Sequence, residues 1–182
     1  MRPILLATAA VFLLACGRIG AQHQEESGAD VITRMTQESR QGRYEQAIQI
    51  GLSGLENKAS DDVILRQVAI VNLLRAEKDP EHADQWVKQA VGSTDRSLLV
   101  NPVIDIGRYE AARIYEHAGD LAKGDKCSLY VRALKTLAEW SATLRGENLT
   151  VEGKDFPVAP LRKEADATKA RIERKQAQSH CE

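Results

Sequence analysis

The segment Ala111–Trp140, AARIYEHAGDLAKGDKCSLYVRALKTLAEW, constrains the fold more than any other part of the chain. Its apolar residues recur at three- and four-residue spacing on either side of a Gly119–Asp120 turn signal. That pattern predicts a helix ending near His117, a tight turn and a longer helix running back. Ala112, Tyr115 and Gly119 fall on one seam, and Tyr130, Ala133 and Leu134 answer it from the return helix. Small residues therefore face large ones, which suits close approach of the two backbones. A lone hairpin of this size leaves an apolar face open, so further helices must stack on it. Aromatic residues are only 4% of the chain, and a core built from Ala, Leu, Val and Ile favours helices over sheet.

Upstream, the same period recurs twice. Val31, Ile32 and Met35 mark a first helix, Gln41–Gly42 a turn, and Tyr44–Leu55 its partner, with Gly51 and Gly54 at positions that suit close backbone approach. Ala59-Ser60-Asp61-Asp62 signals a helix start, with Ser60 or Asp61 as cap. The apolar run from Val63 to Leu74 follows, then an Asp79 cap and Pro80 in the first turn of the next helix, whose seam is Ala83, Val87, Ala90 and Val91. Trp86 beside that seam reads as packing. Gly92–Pro102 reads as the longest break, with Leu98, Leu99 and Val100 expected to tuck under the hairpins. Residues 145–160 are punctuated by Gly146, Gly153, Pro157 and Pro160 and read as a loop with at most a short extended piece at Leu149–Val151. Residues 161–182 read as a polar helix and tail, anchored only by Leu161, Ala165 and Ile172 and expected to lie loosely on the surface.

Three helix pairs of this length resemble tetratricopeptide (TPR) repeats. Gly42-Arg43-Tyr44-Glu45-Gln46-Ala47-Ile48 is similar to the turn and second-helix opening of such a repeat. Ala69, and Ala112 with Tyr115 and Gly119, resemble its first-helix seam, while Ala83, Val87 and Ala90 match the second-helix alternation of small, large and small. The repeats are degenerate: Asn72 stands where Tyr115 stands in the third pair, and Gly51 where a large residue is usual. The expected fold is all-α, about three stacked antiparallel helix pairs over residues 29–144 plus a C-terminal helix.

The N-terminus, MRPILLATAAVFLLACGRIGAQ, reads as a signal peptide over residues 1–21, followed by a polar tether over 22–28. Leu13-Leu14-Ala15-Cys16 resembles a bacterial lipobox, which implies lipidation of Cys16; cleavage after Ala21 is the other option. Gly17 after the cysteine resembles the pattern for outer-membrane delivery. The expected location is the cell envelope, as an outer-membrane lipoprotein facing the periplasm or else as a soluble periplasmic or secreted protein. Cys127 and Cys181 are then the two remaining thiols. Either they form a disulfide or Cys127 stays buried and free on a face with Val131, Leu134 and Ala138.

No nucleophile–base pair, metal-ligand spacing or cofactor motif accompanies these helices, so neither enzyme activity, metal nor cofactor is expected. A net charge of −1 with interleaved signs argues against nucleic acid. The TPR resemblance implies a concave face lined by the first helix of each pair. By spacing it holds Ile32, Thr36, Ser39 and Arg40, then Arg66, Ile70 and Leu73, then Tyr109, Arg113, Glu116 and His117. Aliphatic residues, a phenol and arginines together suit an extended peptide bearing a carboxylate. The expected function is protein–protein interaction or scaffolding. The alternative is a helical module holding an apolar small molecule between its hairpins.

Overall fold

The computed structural model describes residues 27–56, 61–103, 106–151 and 154–181. The expected signal peptide, the lipobox-like stretch with Cys16, most of the expected tether and the candidate cap Ser60 lie outside them. Among the described residues seven α-helices follow one another: α1 (Gly28–Arg40), α2 (Tyr44–Glu56), α3 (Asp61–Lys78), α4 (Ala83–Val100), α5 (Ile106–Leu121), α6 (Lys126–Ser141) and α7 (Val158–Gln178). A β-hairpin, β1 (Asn148–Val151) with β2 (Lys154–Pro157), sits between α6 and α7. Consecutive helices pack as antiparallel pairs, α1 on α2, α3 on α4 and α5 on α6, and the first helices neighbour each other, α1 beside α3 and α3 beside α5. The fold is all-α, a stack of helix pairs compatible with a TPR-like solenoid, with a C-terminal helix added. No helix among the described residues is long and apolar enough to cross a membrane.

Local chemistry sets the helix ends. Ser27 caps α1 by accepting from the Asp30 amide, and Gly42, at φ 76°, turns the chain into α2 in the left-handed region where a side chain is disfavoured. Asp79 accepts from the His82 amide across a short 3-10 turn that Pro80 opens. The same carboxylate accepts from Trp86 Nε1 at 3.2 Å, and the Arg75 guanidinium lies 3.6 Å over that ring. Trp86 thus locks the α3–α4 corner.

Burial divides into two clusters that meet at α3. Val31, Met35, Ala47, Ile48, Ile64, Val68 and Val71 join α1, α2 and one side of α3. Ala69, Leu73 and Ala76 on its other side join α4 to α7. A helix buried on both sides cannot show a single apolar stripe, and α3 indeed buries Ile64, Leu65, Val68, Ala69, Val71, Leu73 and Ala76 around much of its circumference. Gly51 lies against this helix: a Cβ there would fall 2.7 Å from Met35 Cε and Val68 Cγ2.

Four readings need correction. The α5–α6 turn lies at residues 122–125, not at Gly119–Asp120; α5 runs on to Leu121, and buried Gly119 packs under the Tyr130 ring. The glycine signal comes from close approach rather than from a turn. Gly92–Val100 is no break but the second half of α4, because buried Thr94 and Ser97 bond back to the Ala90 and Thr94 carbonyls at 2.8 Å and so tolerate the interior. Leu98 packs against the core, but Leu99 and Val100 ride out at the helix end, Leu99 with 81% of its surface exposed. The loop over 145–160 has the short extended piece expected at Leu149–Val151, but pairs it with a second strand, Asn148 opposite Pro157, and Val158 donates to the Glu147 carbonyl as α7 begins. Finally, α7 is not loose: Val158, Ala165, Thr168 and Ile172 are buried.

Gly119→Ala sets a gain in helix propensity of about 1 kcal/mol against overpacking on a ring 2.7 Å from the new Cβ, which typically costs about 1–3 kcal/mol. The expected outcome in urea unfolding is a net loss of about 1 kcal/mol. A stabilised variant would show that α5 and α6 stand further apart.

Candidate functional site

A cleft of about 530 Å³ lies where α3, α5 and α7 converge. Ile70, Leu73, Leu74 and Ile114 form its aliphatic floor, and Glu110, Arg113, Glu116, His117, Asp120, Arg171 and Lys175 its rim and far wall. Five residues expected on the concave face come together here: Ile70, Leu73, Arg113, Glu116 and His117. The helical period explains it, since Ile70, Leu73 and Leu74 share one side of α3, and Arg113, Glu116, His117 and Asp120 one side of α5.

The other expected residues are placed differently. Arg40 is exposed at the end of α1 and borders a separate shallow depression with Ile32 and Thr36. Ser39 turns inward and donates to the Thr36 carbonyl. Arg66 is buried rather than presented: Nη1 donates to Asp62 at 3.0 Å and Nε to Glu110 at 2.8 Å, tying α3 to α5. Asp62 also accepts from Asn101, and although burial pushes its pKa up, the bonds from Asn101 and Arg66 prevail and hold it below the usual value. Reversing the charge of Arg66 therefore tests packing and not recognition. Tyr109 is half-buried and engaged by two helices: its ring packs on Trp140 of α6 with centroids 4.6 Å apart, and its hydroxyl donates to Glu164 of α7 at 2.7 Å.

The cleft depends on an ion network that crosses from α5 to α7. Glu116 is buried and accepts from Arg171 Nε at 2.7 Å, Arg171 Nη2 at 2.8 Å and Lys175 Nζ at 2.7 Å. Lys175 also reaches Asp120 at 2.6 Å, and Asp120 accepts from Tyr130 at 2.9 Å. Burial works to raise the Glu116 pKa, but the hydrogen bonds and charges of Arg171 and Lys175 outweigh it, so the carboxyl sits below its ordinary value. Burial and the neighbouring Asp120 carboxylate push the Tyr130 phenol up to about 12. His117 Nε2 lies 2.8 Å from Glu77.

Arg113 differs from every other cation of the cleft. It is exposed, its guanidinium stands 6.0 Å from the Tyr109 ring, and it bonds to no carboxylate among the described residues. Leu74, Glu110, Ile114, Asp120, Arg171 and Lys175 also line the cleft but are not among the residues expected from the sequence. The signal for the two cations is their four-residue spacing on one side of a helix, which reads equally well as solvated surface. In the structure Cys127 and Cys181 are joined by a disulfide, with their Cα atoms 5.3 Å apart. The face Cys127 shares with Val131, Leu134 and Ala138 is not apolar interior: Val131 and Ala138 are exposed and Cys127 is half-buried. No group of three His, Cys, Asp or Glu side chains among the described residues is placed to hold a metal. Comparison with known proteins finds no matching family model, no curated relative and no matching solved structure.

Because the Glu116 pKa is depressed, its contribution is complete above the ordinary value of 4.5 and is lost as pH falls through the lower folded value. Glu116→Gln is expected to cost about 2 kcal/mol at neutral pH, through weakened charged hydrogen bonds. It should also flatten the acid limb of stability against pH, measured by urea unfolding. An unchanged acid limb would remove Glu116 from the account of how α7 is held.

Proposed function

We propose that this chain is a non-catalytic protein-interaction module of the bacterial cell envelope that binds an extended peptide in the α3/α5/α7 cleft. The observation that carries the reading is Arg113, a guanidinium without a carboxylate partner among the described residues, at the rim of an aliphatic floor. A free guanidinium suits bidentate recognition of a carboxylate, and the floor of Ile70, Leu73, Leu74 and Ile114 suits an aliphatic side chain beside it. An apolar small molecule would favour a mostly apolar lining, whereas seven of the eleven residues lining this cleft are ionisable. The envelope assignment rests on the leader and on the lipobox resemblance at Leu13–Cys16, with Cys16 as the lipidated residue.

Selection from a displayed library of random peptides on the immobilised, oxidised chain tests the reading. The expected outcome is enrichment of sequences pairing an aliphatic residue with an acidic residue or a free C-terminus. Their binding should fall about tenfold or more in Arg113→Glu, as for loss of a charged hydrogen-bonded pair, with the helical circular dichroism unchanged. Binding indifferent to Arg113→Glu, or enrichment of purely apolar sequences, would overturn it.

A further inference from the structure

The C-terminal helix is held unevenly. Its first four turns are anchored by Val158, Ala165, Thr168 and Ile172, all buried, whereas from Glu173 to His180 no side chain is buried. A helical end without a buried anchor frays readily in water. Yet this is the stretch that carries Lys175, which reaches back to both Glu116 and Asp120. Its covalent hold comes just past the helix, where Cys181 is bonded to Cys127 in the first turn of α6. The bond spans 54 positions of sequence, so it ties the free end of α7 to the α5–α6 hairpin and leaves the anchored turns between.

We infer that the Cys127–Cys181 disulfide sets the charge of the α3/α5/α7 cleft and so acts as a redox control on what the cleft accepts. With the bond intact, three lining cations, Arg113, Arg171 and Lys175, face three lining carboxylates, Glu110, Glu116 and Asp120. A dithiol reductant delivers two electrons and two protons: the S–S bond breaks, Cys127 and Cys181 become thiols, and the dithiol is oxidised to its own disulfide. The last turns of α7 then fray and carry Lys175 away, while Arg171 stays beside buried Ile172. Two cations now face three carboxylates, and Asp120 loses its only ion-pair partner among the described residues. The cleft turns from balanced to acidic, which disfavours an anionic ligand and favours a cationic one. The consequence for ligand choice rests on the peptide-binding role proposed above, but the change in charge does not.

Two nitroxides of opposite charge, aminomethyl-PROXYL and carboxy-PROXYL, read the local potential through their relaxation of amide protons in the isotopically labelled full chain. On reduction with dithiothreitol, the cationic-to-anionic ratio of relaxation at the Arg113 and His117 amides is expected to rise about twofold, as for a one-charge change within a Debye length. Hydrogen exchange over residues 175–179 should accelerate about tenfold or more, with the α5 amides unchanged. Cys181→Ser should reproduce both changes without reductant. Lys175→Gln with the disulfide intact should give the ratio change alone. An unchanged nitroxide ratio on reduction overturns the inference, and so does unchanged exchange over residues 175–179. Because no peptide takes part, failure of the peptide selection leaves this test standing, and failure here leaves the peptide reading standing.

Discussion

Helix backbones in this protein approach one another across alanine and glycine, and the rest of the structure depends on that closeness. Ala69, Ala90, Ala111, Ala112, Ala118 and Ala133 have no exposed surface at all. They sit where α3, α4, α5 and α6 face each other, with Gly51 and Gly119 taking the same part against Met35 and Tyr130. In a chain with few aromatic side chains, dense packing has to come from short distances rather than from large residues. That requirement stacks the first helices side by side, and stacking puts Ile70, Leu73, Arg113 and His117 along one surface.

Apolar packing alone does not finish that surface. The C-terminal helix contributes few buried residues, and polar groups fix its position: Glu116 to Arg171 and Lys175, Asp120 to Lys175, Tyr109 to Glu164, and Arg162 to the Leu144 and Gly146 carbonyls. An ion network costs desolvation, most of all at buried Glu116, and its geometry has to be good to offset that cost. What it supplies is register. A helix held by charged side chains at fixed positions cannot slide along α5 and α6, so the far wall of the cleft has a defined shape and a defined charge.

The fold was legible because its signals are periodic and local. Helices α1, α2, α5 and α6 follow from three-and-four spacing, and of the seam expected from Ala112, Tyr115 and Gly119 against Tyr130, Ala133 and Leu134 all but the half-buried Leu134 are buried. Errors arose where one residue type serves two purposes. Gly119 reads as a turn but makes a close approach, and Gly92-Ser93-Thr94 reads as a break but continues α4, since Thr94 satisfies its hydroxyl within the helix. The cleft was half legible. Its α3 and α5 sides follow from periodicity, whereas its α7 side depends on partners more than fifty residues away in sequence, such as Arg171 with Glu116. Arg66 shows the converse limit: spacing places it correctly on α3, but only the positions of Asp62 and Glu110 reveal that it is paired and buried.

Helix α7 forms the far wall of the cleft by binding Glu116 through Arg171. A double-mutant cycle with Glu116→Gln and Arg171→Gln, read by urea unfolding of the oxidised chain, tests it most directly. The expected coupling energy is about 0.5–3 kcal/mol, the range for residues in contact or in one ion network. Strict additivity of the two substitutions, with a coupling near zero, would contradict it.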